Sequence, residues 1–187
     1  SAAIDPERGL LIVNQNHIAQ VSQLVPRAEA AGLDPAAQQY PNELYPMQGT
    51  PYVARRGPLD SFLGAPCSPT PWGSLTAVDL ASGAVKWRIP FGTLEGLAPW
   101  PVPALFTDTG APNFGGGMAT ASGLFFIGAS MDGYFRAYAS EDGRELWKAK
   151  LPFGGHAVPM SYRGSSGAHF VVIAAGGNAL SRMGAEL

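Results

Sequence analysis

A hairpin motif that occurs twice, 60 residues apart, limits the possible folds of this chain more than any other feature. Residues 77–87 align without gaps on residues 137–147, and each copy reads as a strand, a tight turn with a glycine, and a second strand that carries a tryptophan. Glycine tolerates the positive φ that such a turn requires, and the tryptophan can pack between layered sheets. The repeat indicates an architecture built from successive copies of one small sheet.

Runs typical of strands occur along most of the chain, between glycines and prolines. They lie at residues 9–14, 75–80, 85–89, 124–129, 134–138, 146–150 and 169–175. The best candidate for a helix, residues 27–39, is interrupted by Gly32 and Pro35 and has no sustained apolar period of 3.6 residues. We therefore expect an all-β fold.

One stretch of the chain contains four such strands in succession. Residues 118–153 are expected to form a complete four-stranded unit, and four strands per repeat is the pattern of a β-propeller blade. The later part of a preceding blade, with its first strands near residues 9–15, and the opening strands of a third near 157–175 flank it. About two blades cannot close a ring. We therefore expect residues 1–187 to be an incomplete propeller that self-associates through exposed strand edges.

Residues 27–72 interrupt the first of these blades. Nine of the 17 prolines fall between Pro26 and Pro71, and the segment has the residues of turns but no strand or helix period. A long insertion inside a compact repeat is more often functional than incidental. We predict a long, proline-rich and loop-rich insertion here.

Charge and cysteine content exclude several classes of function. The chain carries 12 basic and 14 acidic side chains, a net charge of −2, and its scattered basic residues form no surface for nucleic acid or an anionic membrane. No apolar run approaches the ~18 residues of a membrane span, and the first residues do not read as a signal peptide. A single cysteine excludes an internal disulfide and a metal site built on cysteine pairs.

An ordered set of short motifs accompanies the repeat. They lie at residues 4–6, 24–27, 49–52, 66–67, 72–73, 115–129, 151–152, 154–155, 157–162 and 174–177. This set resembles the C-terminal blades of quinoprotein dehydrogenases, which use pyrroloquinoline quinone (PQQ), and within them the branch of membrane-bound glucose dehydrogenase and quinate dehydrogenase. The resemblance runs along nearly the whole chain.

The resemblance implies an eight-bladed propeller with PQQ and a divalent cation, usually calcium, near its axis. In such enzymes the metal is a Lewis acid on a quinone carbonyl, an aspartate is the general base, and hydride passes from the substrate to the quinone. The metal ligands and this aspartate come from earlier blades. We therefore expect no catalytic residue and no metal ligand in this chain, and no activity from it alone.

The resemblance also implies a substrate, an electron acceptor and a location. The substrate would be a polyol, a cyclic alcohol such as quinate, or an aldose such as glucose, and electrons would pass to an acceptor of the ubiquinone type. The location would be the periplasm, with a parent protein anchored in the inner membrane by N-terminal segments absent here. The competing hypothesis is a non-catalytic propeller that serves as a scaffold for protein interactions.

Two candidate cofactor contacts are side chains near the ends of strands. Asn14 closes a strand where the family has an asparagine beside the quinone, and an amide can hydrogen-bond a quinone oxygen without adding charge. The alternative is an asparagine that only ends a strand in a turn. Phe114 holds a position often occupied by tryptophan in related alcohol dehydrogenases, and the alternative is an ordinary core aromatic.

The remaining candidates are glycines and the polar residues that follow them. Glycine lets a backbone approach a flat cofactor, and it equally allows tight packing around a propeller axis. Asn178 is a candidate for both cofactor and substrate contact, and it departs from the glucose-oxidising relatives, which tend to have histidine there; this disfavours glucose. His156 is a candidate for the substrate pocket. The candidate glycines are Gly115, Gly116, Gly176 and Gly177.

Overall fold

The computed structural model describes residues 1–30, 43–62, 65–178 and 184, and the chain divides into two compact units. Unit 1 comprises Ser1–His17 and Thr70–Leu187, and unit 2 comprises Ile18–Pro69. The helices of the described part, α1 (Arg27–Ala30) and α2 (Val102–Leu105), have four residues each. No helix in that part is long and apolar enough to cross a membrane.

Antiparallel strands are the main regular structure of the described chain, which confirms the all-β prediction. They are β1 (Ala2–Asp5), β2 (Leu10–Asn16), β3 (Gln20–Pro26), β4 (Glu43–Pro46), β5 (Tyr52–Pro58), β6 (Gly73–Asp79), β7 (Val85–Pro90), β8 (Gly117–Ala119), β9 (Leu124–Ile127), β10 (Tyr134–Ala139), β11 (Glu145–Lys150), β12 (Met160–Arg163) and β13 (His169–Val172).

The described residues of unit 1 form two four-stranded sheets and one strand pair. Sheet 1 has the order β1-β2-β6-β7, sheet 2 has the order β11-β10-β9-β8, and β12 pairs with β13. The sequence predicted a complete four-stranded unit only at residues 118–153, where sheet 2 lies. Sheet 1 is complete as well, because Ala2–Asp5 pairs with β2 at the edge opposite to β7. This strand has four residues and one buried side chain, Asp5, so it shows no apolar alternation.

The hairpin repeat found in the sequence is a repeat of structure. Ala77 pairs with Trp87 in sheet 1, Ala137 pairs with Trp147 in sheet 2, and in both hairpins the register shifts at the next residue. The two turn glycines, Gly83 and Gly143, have φ values of 72° and 73°. The same local sequence therefore produces the same bulge and the same turn.

Sheet 1 packs face to face on sheet 2. Trp87 donates a hydrogen bond from Nε1 to the carbonyl oxygen of Ser140 at 3.0 Å, and its ring covers Gly143. Apolar side chains from both sheets fill the space between them and supply most of the driving force for this packing. They include Leu10, Ile12, Leu75, Phe91, Phe125, Ile127 and Tyr138.

A buried ion pair of sheet 2 lies beside this core, and a hydrogen bond ties its carboxylate to the segment that follows sheet 1. The Arg136 and Asp132 side chains are 2% and 0% exposed, and Asp132 also accepts a hydrogen bond from the Thr93 backbone N–H, which follows sheet 1. Burial by itself raises the pKa of Asp132, but the hydrogen bonds and charge of Arg136, with backbone N–H groups, outweigh it and lower that pKa below its ordinary value. Asp132 is therefore ionised and fixed in place at neutral pH.

Unit 2 contains a three-stranded sheet with the order β3-β5-β4, where the sequence predicted a loop-rich insertion over residues 27–72. Most of its described side chains are exposed, and Val53 is buried. Without alternating buried positions, these strands leave no apolar period in the sequence. Pro26 and Pro46 end the edge strands β3 and β4, and edge strands tolerate a residue without an N–H; Pro58 is the last residue of the central strand β5. Residues 31–42 and 63–64 of the insertion lie outside the described residues.

Candidate functional site

Three segments of unit 1 meet at one end of the two sheets. They are the end of β2, the segment 109–116 that precedes β8, and the turn that follows β9. Antiparallel pairing brings them together, because β2 and β9 both end where the strands beside them begin. The connection from β11 to β12 joins the same group through His156.

Asn14 lies within β2, two residues before its end, with 8% of its surface exposed. Its Nδ2 donates to Asn113 Oδ1 at 2.7 Å and to the carbonyl oxygen of Gly115 at 3.3 Å. Asn14 therefore does not simply end a strand in a turn: it pairs within β2 and joins sheet 1 to the segment before β8. Its contact with a cofactor stays a prediction.

Asn113 was not predicted from the sequence, although it is the most connected residue of this group. It is 2% exposed, and its Nδ2 donates to the carbonyl oxygens of Gln15 at 3.0 Å and Ala111 at 3.4 Å. Its backbone N–H and C=O both bond to the Asn16 side chain, each at 2.8 Å. An asparagine after a proline in a loop reads as a turn residue, so no pattern marks it.

Phe114 and His156 form the aromatic part of the site. Phe114 is 37% exposed, so it is not an ordinary core aromatic, and its ring lies edge-on to His156 with centroids 6.3 Å apart. His156 Nδ1 lies 3.2 Å from the Phe114 carbonyl oxygen and 3.3 Å from that of Ala129. Carbonyl oxygens only accept hydrogen bonds, so Nδ1 carries the proton. Ala129, at φ 22°, holds its backbone in a region that L-residues rarely adopt.

Packing of the protein against itself accounts for Gly115 and Gly116. Gly115 has φ 108°, and a Cβ there would lie 2.1 Å from the carbonyl oxygen of His156. A Cβ on Gly116 would lie 2.4 Å from Ser1 Oγ and 3.3 Å from Val158. These contacts favour the packing explanation of the glycine run, and an approach to a cofactor is not needed to explain it.

The second glycine pair lies beyond the strand pair β12–β13. Gly177, at φ 69°, donates its N–H to the carbonyl oxygen of Gly154 at 2.8 Å, and the nearest atom to a Cβ on Gly176 is the Gly184 carbonyl oxygen at 3.4 Å. The bond to Gly154 ties this pair, and Asn178 after it, to the connection that carries His156. Asn178 itself is partly buried.

Amides, carbonyl groups, an aromatic ring and one imidazole make up the site, and apart from His156 its residues have no ionisable side chain. Over the described ranges, no three or more His, Cys, Asp or Glu side chains come close enough together to hold a metal ion. Such a site can present hydrogen bonds and a flat apolar surface to a ligand, and it adds no cation to balance an anionic one.

A family model described as "PQQ: Glucose/ethanol/alcohol dehydrogenase, beta-propeller domain" matches residues 1–171. The chain is 37% identical over 183 residues to the quinate/shikimate dehydrogenase (quinone) of Acinetobacter baylyi, covering 95% of this chain and 23% of the relative. It is 35% identical over 181 residues to the quinoprotein glucose dehydrogenase of Escherichia coli, with 94% and 23% covered. It is 38% identical over 191 residues to the glycerol dehydrogenase large subunit of Gluconobacter thailandicus, with 95% and 26% covered.

The chain therefore spans about a quarter of the length of the curated relatives it matches. Within that span the family description agrees with the stacked four-stranded sheets, and it confirms the prediction that they are part of a β-propeller. The match covers most of the chain, and the identities lie well above 30%. The chain belongs to the β-propeller family of PQQ-dependent glucose, ethanol and alcohol dehydrogenases.

Proposed function

We propose that this chain is the C-terminal part of a PQQ-dependent dehydrogenase that oxidises a polyol, a cyclic alcohol such as quinate, or an aldose such as glucose. The family match over residues 1–171 carries the proposal. The relatives named for quinate or shikimate, for glucose and for glycerol support it, because these compounds are small molecules with several hydroxyl groups. The parent protein is thus an enzyme, and this chain alone is inactive.

The residues at the candidate site fit one edge of PQQ. Asn14 offers an amide, Phe114 a partly exposed ring, and His156 an imidazole whose Nδ1 proton is held by two carbonyl oxygens. When bound, PQQ supplies the oxidant, taking two electrons as the substrate alcohol loses a hydride and a proton to become a carbonyl compound. The chain's own part is to orient one edge of the cofactor and to exclude water from it. The charges that balance its carboxylates, and the ligands of a calcium ion, belong to other parts of the parent protein.

Two further properties of the parent protein complete the proposal. Electrons pass to an acceptor of the ubiquinone type, supported by the word "quinone" in the name of the Acinetobacter baylyi relative. The catalytic propeller works in the periplasm, with the parent protein held at the inner membrane.

The isolated chain self-associates through sheet 2, where Leu146 and Trp147 on the edge strand β11 are 45% and 49% exposed.

The proposal is tested on the full-length protein, prepared without PQQ and then loaded with PQQ and calcium. Loaded protein should reduce a dye acceptor in the presence of at least one of quinate, glucose and glycerol, and protein kept without PQQ should not. Absorbance titration should show stoichiometric binding of PQQ. Full-length protein that binds no PQQ would instead support the scaffold hypothesis.

Asn178 is proposed to select the substrate within this reaction. Glucose-oxidising relatives tend to have histidine at this position, and a side chain that lines the entrance can select through paired hydroxyls. We expect Asn178→His in the full-length protein to raise kcat/KM for glucose relative to quinate about tenfold, the effect of one differential hydrogen bond. Asn178→Gln, which keeps the amide, is the control and should leave the glucose-to-quinate ratio near that of the wild type. If Asn178→His leaves the glucose-to-quinate ratio of kcat/KM unchanged, Asn178 does not select the substrate.

A further inference from the structure

Asn113 occupies the centre of the amide network, and its orientation is fixed by its neighbours. Its Nδ2 faces the carbonyl oxygens of Gln15 and Ala111 at 3.0 and 3.4 Å. Carbonyl oxygens only accept hydrogen bonds, so the amide cannot be reversed without placing its oxygen against two acceptors. Asn113 Oδ1 must therefore point to Asn14.

The orientation of Asn14 follows from that of Asn113. The Nδ2 of Asn14 lies 2.7 Å from Asn113 Oδ1 and 3.3 Å from the Gly115 carbonyl oxygen, and both of these atoms are acceptors. The two hydrogens of the Asn14 amide are thus both used within the protein. A reversed Asn14 would lose both bonds and bring three oxygens together.

The remaining polar atom of the Asn14 side chain, Oδ1, is the one available to a ligand. None of the residues that the structure describes donates a hydrogen bond to it. In that part of the chain, the side-chain atoms enclosed without a partner are Thr109 Oγ1 and Ser140 Oγ, so Asn14 Oδ1 is open to approach from outside the protein.

We propose that Asn113 is a positioning residue that holds the oxygen of the Asn14 amide toward the cofactor site, so that Asn14 accepts a hydrogen bond from an N–H or O–H of the bound molecules. This reverses the expectation from the sequence, in which the Asn14 amide donates to a quinone oxygen. The inference rests on the proposed function. A pyrrole N–H of PQQ and a hydroxyl of the substrate share the required chemistry, and they can be told apart by measuring cofactor binding without substrate.

The chain offers a matched control for Asn113 in its neighbour Asn16. Asn16 makes two hydrogen bonds of 2.8 Å to the backbone of Asn113, and it makes none to Asn14. Asn113→Ala and Asn16→Ala therefore loosen the same segment, but only Asn113→Ala frees the Asn14 amide to turn. A purely structural role of the network would make the two variants behave alike.

The experiment uses full-length protein prepared without PQQ, titrated with PQQ and calcium in the absence of substrate, and followed by the visible absorption of the bound quinone. Asn113→Ala should either bind PQQ about tenfold more weakly with a shifted absorption band, which identifies the cofactor as the donor, or bind PQQ normally and raise the KM of the substrate about tenfold, which identifies the substrate. Asn16→Ala should lower Tm and leave PQQ affinity, absorption band and KM within about twofold of the wild type.

Several results would overturn the inference. Equal effects of the two variants on PQQ binding and KM would reduce Asn113 to a structural residue, as would an Asn113→Ala variant with unchanged affinity, spectrum and KM. If Asn113→Ala does not fold, Asn113→Ser replaces it, because the serine hydroxyl can still bond a nearby carbonyl but is too short to reach Asn14. If the wild-type protein binds no PQQ, both the proposed function and this inference are wrong. If the wild type binds PQQ and the variants keep its PQQ affinity, absorption band and KM, only the inference is wrong.

Discussion

Sheet 1 and sheet 2 share their hairpin and differ at the end where the candidate site lies. In each sheet the hairpin turn is bonded to the glycine that precedes the second strand: Leu80 donates to the Gly9 carbonyl oxygen at 2.8 Å, and Ser140 donates to that of Gly123 at 2.9 Å. These bonds put the two second strands in the same register. The scaffold of the blade therefore repeats residue by residue at its turn end.

Because the two second strands share this register, their residues far from the hairpin turn can be compared position by position. Five residues after each of these glycines, sheet 1 has Asn14 and sheet 2 has Gly128. A Cβ on Gly128 would lie 2.4 Å from the carbonyl oxygen of Gly155, so only glycine fits there, whereas sheet 1 places the largely buried amide of Asn14 at the equivalent point. Equivalent positions thus have different roles, close packing in one sheet and a hydrogen-bonding group in the other.

The central strands of the two sheets differ in a second way. Thr76 in sheet 1 corresponds to Arg136 in sheet 2, 60 residues later. Thr76 donates to Gln15 Oε1 at 2.8 Å and accepts from Arg88 Nε at 3.1 Å, whereas Arg136 is paired with Asp132 and Glu145. The hydrogen bonds of a neutral hydroxyl such as that of Thr76 are worth less than the penalty for removing the buried carboxylate from an ion pair. We therefore expect a substitution in the polar pair of sheet 2 to lower the free energy of unfolding more than one at Thr76 in sheet 1.

Removing the carboxylate of this pair should have the largest effect. Asp132→Ala leaves the buried Arg136 guanidinium with only the partly exposed Glu145 carboxylate as its ion-pair partner, and it should lower the free energy of unfolding by about 3–5 kcal/mol. Thr76→Ala, at the position in sheet 1 that corresponds to Arg136, should lower it by about 1–2 kcal/mol. Urea denaturation followed by circular dichroism measures both. Similar losses in the two variants would show that the ion pair adds little beyond ordinary hydrogen bonds.

The same variant should change the response to acid. The pKa of Asp132 is lowered by folding, so its contribution to stability is complete above its ordinary pKa and is lost as pH falls through the lower value of the folded state. The stability difference between the wild type and Asp132→Ala should therefore shrink as pH falls below about 5. A difference that stays constant down to pH 3 would contradict the assignment of an ionised, paired Asp132.

The two turn glycines give a second, intermediate effect. Gly83→Ala and Gly143→Ala place alanine at nearly the same positive φ, which costs about 1 kcal/mol in each turn. Gly83 has open space around a Cβ, but a Cβ on Gly143 would lie 2.8 Å from the Trp87 ring. Gly143→Ala should therefore cost about 1–3 kcal/mol more than Gly83→Ala, by displacing Trp87.

Urea denaturation followed by tryptophan fluorescence measures this difference, and circular dichroism checks that both variants keep their sheets. Equal losses would mean that Trp87 moves aside without cost, so its contact with sheet 2 would not hold the two sheets together. A larger loss for Gly83→Ala would show that the turn of sheet 1 is also covered in the folded protein.

The parts of the fold that the sequence predicts are those with local signals. Glycine at a tight turn and a tryptophan at a fixed distance mark both hairpins, because their geometry depends on residues within 11 positions of one another. Strands β1 and β3 to β5 carry few buried side chains, so no alternation marks them. A strand stabilised mainly by its neighbours leaves little trace in its own sequence.

The candidate site likewise contains residues that sequence motifs indicate and one residue that only tertiary contacts identify. Family motifs single out Asn14, Phe114 and His156, and the structure brings these three into one group. Asn113 could not be predicted, because its side chain bonds to Asn14 across 99 residues of sequence and its position follows no period. Tertiary contacts fix the orientation of the Asn113 and Asn14 amides. They therefore decide whether Asn14 presents its oxygen or its nitrogen to a ligand.

The smallest effect is expected where the two turns themselves differ. Asp79 in the first turn accepts hydrogen bonds from the backbone N–H groups of Ala81 at 3.0 Å and Ser82 at 2.8 Å, and sheet 2 has Ala139 at this position. Asp79→Ala makes the first turn resemble the second and should lower Tm only slightly, because the carboxylate is at the surface. Asp142→Ala is the control: it removes from the second turn one bond of 3.0 Å to the Arg144 N–H and an exposed ion pair of 3.8 Å with the Arg144 side chain, and it should lower Tm less.

The pH dependence of Tm shows whether the charge of the Asp79 carboxylate stabilises the turn. The Ser82 backbone N–H and hydroxyl, with the Ala81 N–H and the charge of Lys86, lower the pKa of Asp79 below its ordinary value. The stabilisation is therefore present above that ordinary value, about 3.9, and is lost as pH falls through the lower pKa of the folded turn. The Tm difference between the wild type and Asp79→Ala should disappear in strong acid. A difference that persists there would mean that Asp79 acts through its shape and not through its charge, and the two turns would then differ in packing alone.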